Sequence, residues 1–437
     1  MIDICFSGGG NMKYQKIMCD AKSGFDKIPL IFMVFIGLLG LTSVVLGDSW
    51  ATKADMLNPM SNLSTMVING KIYAIGGSGG QVRIEQQFRI SEIEEYDPVQ
   101  NIWTEKAKIP TESINSSISA VNGKIYVIGG YDDNGLVSKV DEYDPTTDTW
   151  TKKADILTPR TGLSTCVVNG KIYAIGGEKL AGGALSAVEE YNPVTNKWTK
   201  KADMLTPGTD LSICVVNGRI YIVGNTNMQP AVGGGQPMVE EYNPDNDKWT
   251  QKADMPTPIN NPFVAIIDGK IYVIGGSRNW NVGGGVGQMG NTLTVEQYDP
   301  ATDTWTQEAD IPTQQNNPSI AAVNGKIYVI GGSGDLAGVG GPAQAGNVQT
   351  VEQYDPTTDI WTQKTDIPTQ RSNSFVAVVN GKIYVIGGLG AQAGAVGIGQ
   401  MTVLKAVEEY TPDGWQSFSV SPAGKLVTKW GAIKIQN

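Results

Sequence analysis

The stretch Val167-Val168-Asn169-Gly170-Lys171-Ile172-Tyr173-Ala174-Ile175-Gly176-Gly177, followed by V-E-E-Y-N-P at 188–193 and K-W-T-K at 197–200, decides the fold. Asn-Gly between two apolar runs is the strongest short hairpin signal, because both turn residues take positive φ. K-I-Y-A-I is apolar at consecutive positions, the pattern of a strand buried on both faces. V-E-E-Y-N-P reads as a third strand, stopped where proline cannot donate to a ladder. K-W-T-K reads as a fourth. We call these strands A to D, with A and B placed at Leu163–Val168 and Lys171–Gly177.

The same sentence is written seven times, with hairpins at Asn69, Asn122, Asn169, Asn217, Asp268, Asn324 and Asn380. A period near 50 residues implies a ring of identical four-stranded units, none of which buries its faces alone. Two intervals never change. The hairpin glycine precedes the glycine pair by six residues (Gly170 to Gly176), and each Trp precedes the next hairpin glycine by twenty (Trp150 to Gly170). The interval from the glycine pair to the strand-C tyrosine varies, from Gly130–Tyr143 to Gly388–Tyr410. Length variation therefore sits in the B–C loops: 78–91, 131–139, 178–186, 226–238, 277–294, 333–350 and 389–404.

These units resemble kelch repeats, with the glycine pair, the tyrosine and the later tryptophan in register over residues 49–415. The resemblance implies an all-β, seven-bladed β-propeller of four-stranded antiparallel blades. Gly224-Asn225 departs from the glycine pair. Trp415 departs too, standing five residues after Tyr410 rather than seven. Trp50 lies twenty residues before Gly70 and has no blade of its own. Residues 49–54 are therefore expected to dock on the seventh blade as its outer strand and close the ring.

Three segments are expected: a signal peptide or N-terminal membrane anchor over 1–47, the propeller over 48–419, and a C-terminal tail over 420–437. Residues 28–46 carry no charge, follow Lys13, Lys16, Lys22 and Lys27, and end in V-L-G before Asp48. That is the pattern of a secretory signal; a retained anchor is the alternative. Either places the propeller outside the cytosol, secreted, periplasmic or at the cell surface. Net charge is −10 and the isoelectric point about 4.8, which argues against nucleic acid as a partner.

The chain has no histidine. Ser-His-Asp and Cys-His nucleophilic sites and imidazole metal sites are thereby excluded. Kelch-like copper oxidases resemble this fold, but their site uses histidines, so neither a metal nor another cofactor is expected. Cys166 and Cys214 fall in one repeat position, a slot for small or apolar residues, and read as free thiols. The E-E-Y pairs, such as Glu94-Glu95 and Glu189-Glu190, diverge to opposite faces of a strand and recur in register, so they read as structural. No catalytic residue is expected.

In an A-B-C-D meander the B–C loops and D–A connections share one face. Five of the six arginines fall there: Arg83, Arg89, Arg160, Arg278 and Arg371. Guanidinium groups gathered on one face suit carboxylate or sugar acids. Tyr131 and Trp280 would add stacking surface. The function expected is a non-catalytic, monomeric binding scaffold for a protein or acidic glycan. Two alternatives stand beside it. One is a metal-free sugar isomerase resembling sialic acid mutarotases, using Arg160 or Arg371. The other is a structural surface or adhesion component.

Overall fold

The structure, a computed structural model, describes residues 47–60, 63–76, 92–180, 182–224, 238–259, 262–280, 288–334, 346–391 and 401–415. Among the described residues every regular element is a strand, and none is a helix long and apolar enough to cross a membrane. The expected signal segment and the tail lie outside the described residues.

Seven four-stranded antiparallel sheets form the blades of a β-propeller. Blade 3 is typical, with A at Ser164–Val168, B at Lys171–Ile175, C at Val188–Asn192 and D at Lys197–Lys200. Every A–B hairpin turns as the sequence dictates. Its Asn or Asp has φ between 49° and 52°, and its glycine φ between 72° and 76°. Strand B ends at Ile175, two residues earlier than the sequence reading, because Gly176 and Gly177 take φ of 64° and 94° and leave the ladder.

The core is not a single mass but seven layers between neighbouring blades. One layer packs Tyr126, Ile128 and Val140 of blade 2 on Ile172, Ala174 and Tyr191 of blade 3. Each strand-B tyrosine meets the strand-C tyrosine of the next blade edge to face, as Tyr126 meets Tyr191 at 5.8 Å. Layers of this kind explain why K-I-Y-x-I is buried on both faces.

Outer strands are latched from blade to blade by three residues of fixed spacing: Tyr at i, Asn or Asp at i+5, Trp at i+7. In blade 2 these are Tyr143, Asp148 and Trp150. The Tyr143 hydroxyl donates to Asp148 Oδ1 at 2.7 Å, the Ala107 amide donates to the same oxygen at 2.9 Å, and Trp150 Nε1 donates to Ala107 O at 2.8 Å.

Blade 7 has Phe375–Val379, Lys382–Ile386 and Val407–Thr411 but no outer strand of its own. The N-terminal strand Ser49–Thr52 fills that place, pairing antiparallel with Val407–Thr411 in the register Trp50 to Tyr410. The latch is rebuilt in full from the far end of the chain. Tyr410 donates to Asp48 Oδ2 at 2.9 Å, the Thr365 amide donates to it at 2.7 Å, and Trp50 Nε1 donates to Thr365 O at 2.8 Å. Trp415 makes no strand; its Nε1 donates to Asn380 O at 2.8 Å and its ring lies under Lys382.

Candidate functional site

Where strand C carries two carboxylates, they do separate jobs. Glu94, the first, is fully buried and accepts the amides of Leu57 and Asn58, both at 2.9 Å, from the linker entering its blade. Glu95, the second, faces the other way. It accepts Lys71 Nζ at 2.6 Å and the Tyr73 hydroxyl at 2.7 Å, with Lys106 at 3.5 Å. The same Lys–Tyr–Glu–Lys set recurs in blades 2, 3 and 7, and blade 4 has Arg219 in place of the first lysine. In blades 5 and 6 the second glutamate is Gln297 or Gln353. The glutamate pairs are therefore scaffold, as their periodicity implies.

Their electrostatics have opposite signs. Burial pushes Glu94, Glu240 and Glu352 above the ordinary glutamate value. Burial pushes Glu95, Glu142, Glu190 and Glu409 up as well, but lysine and tyrosine donors outweigh it and hold these four below the ordinary value. Asp48, Asp148, Asp247 and Asp303 are held low in the same way by latch donors. A lowered carboxylate contributes stability above the ordinary range and loses it as pH falls through its folded value; a raised one does the reverse. The lowered groups outnumber the raised, so the urea midpoint is expected to fall as pH drops from about 7 to about 3, below the ordinary carboxylate range. Glu409→Gln should flatten that dependence, and an unchanged pH profile would refute it.

The arginine expectation requires correction. Arg160 and Arg371 are wholly buried, not displayed. They occupy one repeat position, ten residues before the hairpin glycine, where other blades have Met60, Ser113, Gly208, Ile259 and Gln315. Arg371 Nη1 donates to Gly387 O at 3.0 Å and Ala406 O at 2.9 Å, and Nη2 pairs with Glu408 at 2.8 Å. Arg160 Nη2 donates to Ala174 O at 3.0 Å, while Nη1 stands 3.6 Å from Glu189. Both lock a D–A linker onto its own blade. The slot is in phase with the repeat, and Met60, Gly208, Ile259 and Gln315 are buried in it as well. The isomerase alternative rested on these two arginines and loses them.

The loop face is built as the meander implies. Antiparallel bridges join D–A linkers to B–C loops at Ile114–Tyr131, Thr161–Glu178, Leu185–Gly208, Asn316–Ser333 and Ser372–Leu389. Tyr131 is half-buried in a short ribbon, Tyr131–Asp132 against Gly135–Leu136. Arg278 and Trp280 lie on a longer one, Ser277–Trp280 against Gln288–Asn291. Arg83 and Arg89 lie outside the described residues.

Among the described residues, a rim of five D–A linker positions lies eight residues before the hairpin glycine. Asn115, Gly162, Asp210, Asn317 and Asn373 all have φ between 49° and 59° there. Asn and Asp are the side-chain-bearing residues that best tolerate this region. The rim is stitched by backbone, Asp210 N to Gly162 O at 2.9 Å and Asn373 N to Asn317 O at 3.2 Å. Asn115, Asp210 and Asn317 are exposed. The rim thus offers amide and carboxylate groups on a fixed frame.

The opposite, hairpin face holds a cleft of about 430 Å³ between blades 4 and 5, bordered by Arg219, Glu241, Asp268, Lys270 and Asp299. Arg219 and Asp268 depart from the lysine and the asparagine that the other blades carry at these repeat positions.

Cys166 and Cys214 are free, and burial pushes each thiol up to about 12. Neither is a thiolate nucleophile at neutral pH.

Comparison with known proteins agrees with this architecture. A family model described as the KLHDC2/KLHL20/DRC7 Kelch-repeats domain matches residues 47–225, and the Kelch motif model matches 207–256, 260–312 and 316–368. Kelch-like protein 35 of Mus musculus is 30% identical over 164 residues, which cover 36% of this chain and 25% of that protein. Alpha-scruin of Limulus polyphemus is 30% identical over 155 residues, covering 35% of this chain and 15% of that protein. The chain spans a third or less of the length of these two relatives. A solved structure titled as a fungal alcohol oxidase in complex with copper aligns with a TM-score of 0.63 at 17% identity, over 84% of this chain and 77% of that one. That likeness shows the fold alone. Kelch-repeat proteins are generally protein-interaction scaffolds. Seven in-register blades and two kelch models that together run from residue 47 to 368 show that this chain belongs to the kelch-repeat β-propeller family.

Proposed function

We propose that this protein is a non-catalytic scaffold acting outside the cytosol, which recognises a protein or an acidic glycan through its B–C and D–A loops. The observation that carries this reading is the division of labour in the ring. The repeated carboxylates, the buried arginines, the latch tryptophans and the strand-B tyrosines are bound into blade packing. Among the described residues, ribbons and bridges of the variable segments lie beside the linkers on one face. Loops on a rigid frame are where recognition concentrates. Fold alone does not name a ligand, so the ligand class rests on the arginines that the sequence puts in the B–C segments, Arg83, Arg89 and Arg278, with Trp280.

The extracytoplasmic part of the proposal rests on the 28–46 segment. Cleavage after V-L-G would leave Asp48 and Trp50 at the start of the mature chain, which are the residues that complete the seventh latch.

The test is an array of neutral and acidic glycans and cell-surface proteins, probed with the wild-type chain and with an Arg83→Ala/Arg89→Ala/Arg278→Ala variant. Charge-assisted bonds contribute about 1.5–3 kcal/mol each, so losing them is expected to weaken binding at least tenfold. Binding of the triple variant at wild-type strength would overturn the arginine contribution.

A further inference from the structure

The cleft between blades 4 and 5 lies on the face away from the loops, and three departures from the repeat converge on it or beside it. In six blades the cation that opens strand B holds a carboxylate: Lys71 on Glu95, Lys124 on Glu142, Lys171 on Glu190, Arg219 on Glu241, Lys326 on Asp355 and Lys382 on Glu409, all between 2.5 and 3.1 Å. Lys270 is the exception. Gln297 stands where the glutamate should be and accepts the Tyr272 hydroxyl at 2.7 Å. Among the described residues the Lys270 ammonium makes no ion pair or hydrogen bond.

Beside Lys270 the cleft holds Arg219, the single arginine at this repeat position, whose side chain is 40% exposed and pairs with Glu241 at 3.1 Å. It also holds Asp268, the single aspartate at the hairpin asparagine position, which is exposed. Asp299 completes the border and accepts the Ala301 amide of its own turn at 2.9 Å. The cleft is lined by two cations, Lys270 and Arg219, and three carboxylates, Glu241, Asp268 and Asp299, of which Glu241 already pairs with Arg219. Its volume of about 430 Å³ suits a small ligand or a pair of partner side chains.

We propose that this cleft binds a zwitterion, with its carboxylate on Lys270 and Arg219 and its cationic group on Asp268 and Asp299. The molecule's own repeat supplies the template, since every other strand-B cation already holds a carboxylate. Asp268 and Asp299 disfavour a bare anion by like-charge repulsion, so the carboxylate must arrive with a compensating positive group. The source is either a free amino acid of the ω-amino type or a neighbouring acidic and basic pair on a protein segment. This site is independent of the loop-face reading, and either can fail without the other.

The test uses the full chain and titrates 6-aminohexanoate, hexanoate, 1-aminohexane and the capped peptide acetyl-Glu-Gly-Lys-amide, followed by saturation-transfer NMR. A zwitterion, free or peptidic, is expected to saturate with a dissociation constant in the millimolar range, and each half-ligand to bind at least about tenfold more weakly, one charge-assisted contact being worth that factor. Tighter binding of the peptide would assign a protein segment as the source, and tighter binding of 6-aminohexanoate a metabolite. Lys270→Met, which breaks no ion pair or hydrogen bond among the described residues, should weaken the zwitterion at least about tenfold with an unchanged unfolding midpoint, while Lys326→Met should leave binding as it was. Failure of both zwitterions to saturate, undiminished binding by Lys270→Met, or equal loss in Lys326→Met would overturn the proposal.

Discussion

Removing residues 48–52 is expected to open the ring and convert a monodisperse protein into one that self-associates. The deletion strips the Val407–Thr411 strand of its partner, leaving a row of unpaired amides and carbonyls that templates pairing with another chain. It also removes the Asp48 bonds to Thr365 and Tyr410 and the Trp50 bond to Thr365. Trp50→Ala alone is expected to cost about 3 kcal/mol, the low end for truncating a packed tryptophan, because the indole packs on Tyr410 at 4.9 Å but is half-exposed. Trp415→Ala should cost less than about 1 kcal/mol, since its indole makes one hydrogen bond at a partly exposed site. Urea unfolding read by tryptophan fluorescence separates the two. A closed ring also predicts that a synthetic peptide spanning 47–56 restores the midpoint of the deletion variant. Equal stability of the Trp50 and Trp415 variants would show that the first tryptophan is no latch.

Arg371→Ala is the second change with a large expected effect, and it acts through the fold. Truncation leaves Glu408 buried with Thr369 as its remaining side-chain donor, at 2.6 Å, and abandons the carbonyls of Gly387 and Ala406. Breaking one side of a buried ion pair costs about 3–5 kcal/mol. Arg160→Ala is expected to cost less, because its contact with Glu189 is 3.6 Å and its Nε has no partner among the described residues. Arg371→Met should be milder than Arg371→Ala, because Met60 fills the same slot in blade 1 opposite Glu94. The measurement is the unfolding midpoint of all three. A ligand-binding role would instead leave the midpoint in place and change affinity alone.

How much of this was legible depends on whether a residue acts within its own repeat. The hairpins, the doubly buried strand B and the divergent glutamates follow from local spacing, and each copy corroborates the others. Trp50 could be placed because it kept the twenty-residue interval to Gly70. Asp48 kept its phase too, two residues before Trp50 as Asp148 is before Trp150. Its function, however, lies in bonds to Tyr410 and Thr365 across the whole chain, and only a closed ring brings these together. The arginines misled for a related reason. Arg160 and Arg371 sit in linkers, where charged residues are normally solvated, and their burial is set by carbonyls of the B–C region and by the strand-C glutamate. The cleft was hidden because Arg219, Asp268 and Gln297 look like tolerated substitutions until adjacent blades are placed side by side.

Replacement of the blade 5 loop 277–291 by the short blade 2 loop 131–136 tests most directly the claim that recognition belongs to the loops and stability to the repeat. Array binding is expected to be lost while the unfolding midpoint holds within about 0.5 kcal/mol, the range expected for changes away from packed features. Undiminished binding by the loop-replaced chain would contradict it, as would a collapse of stability in step with the loss of binding.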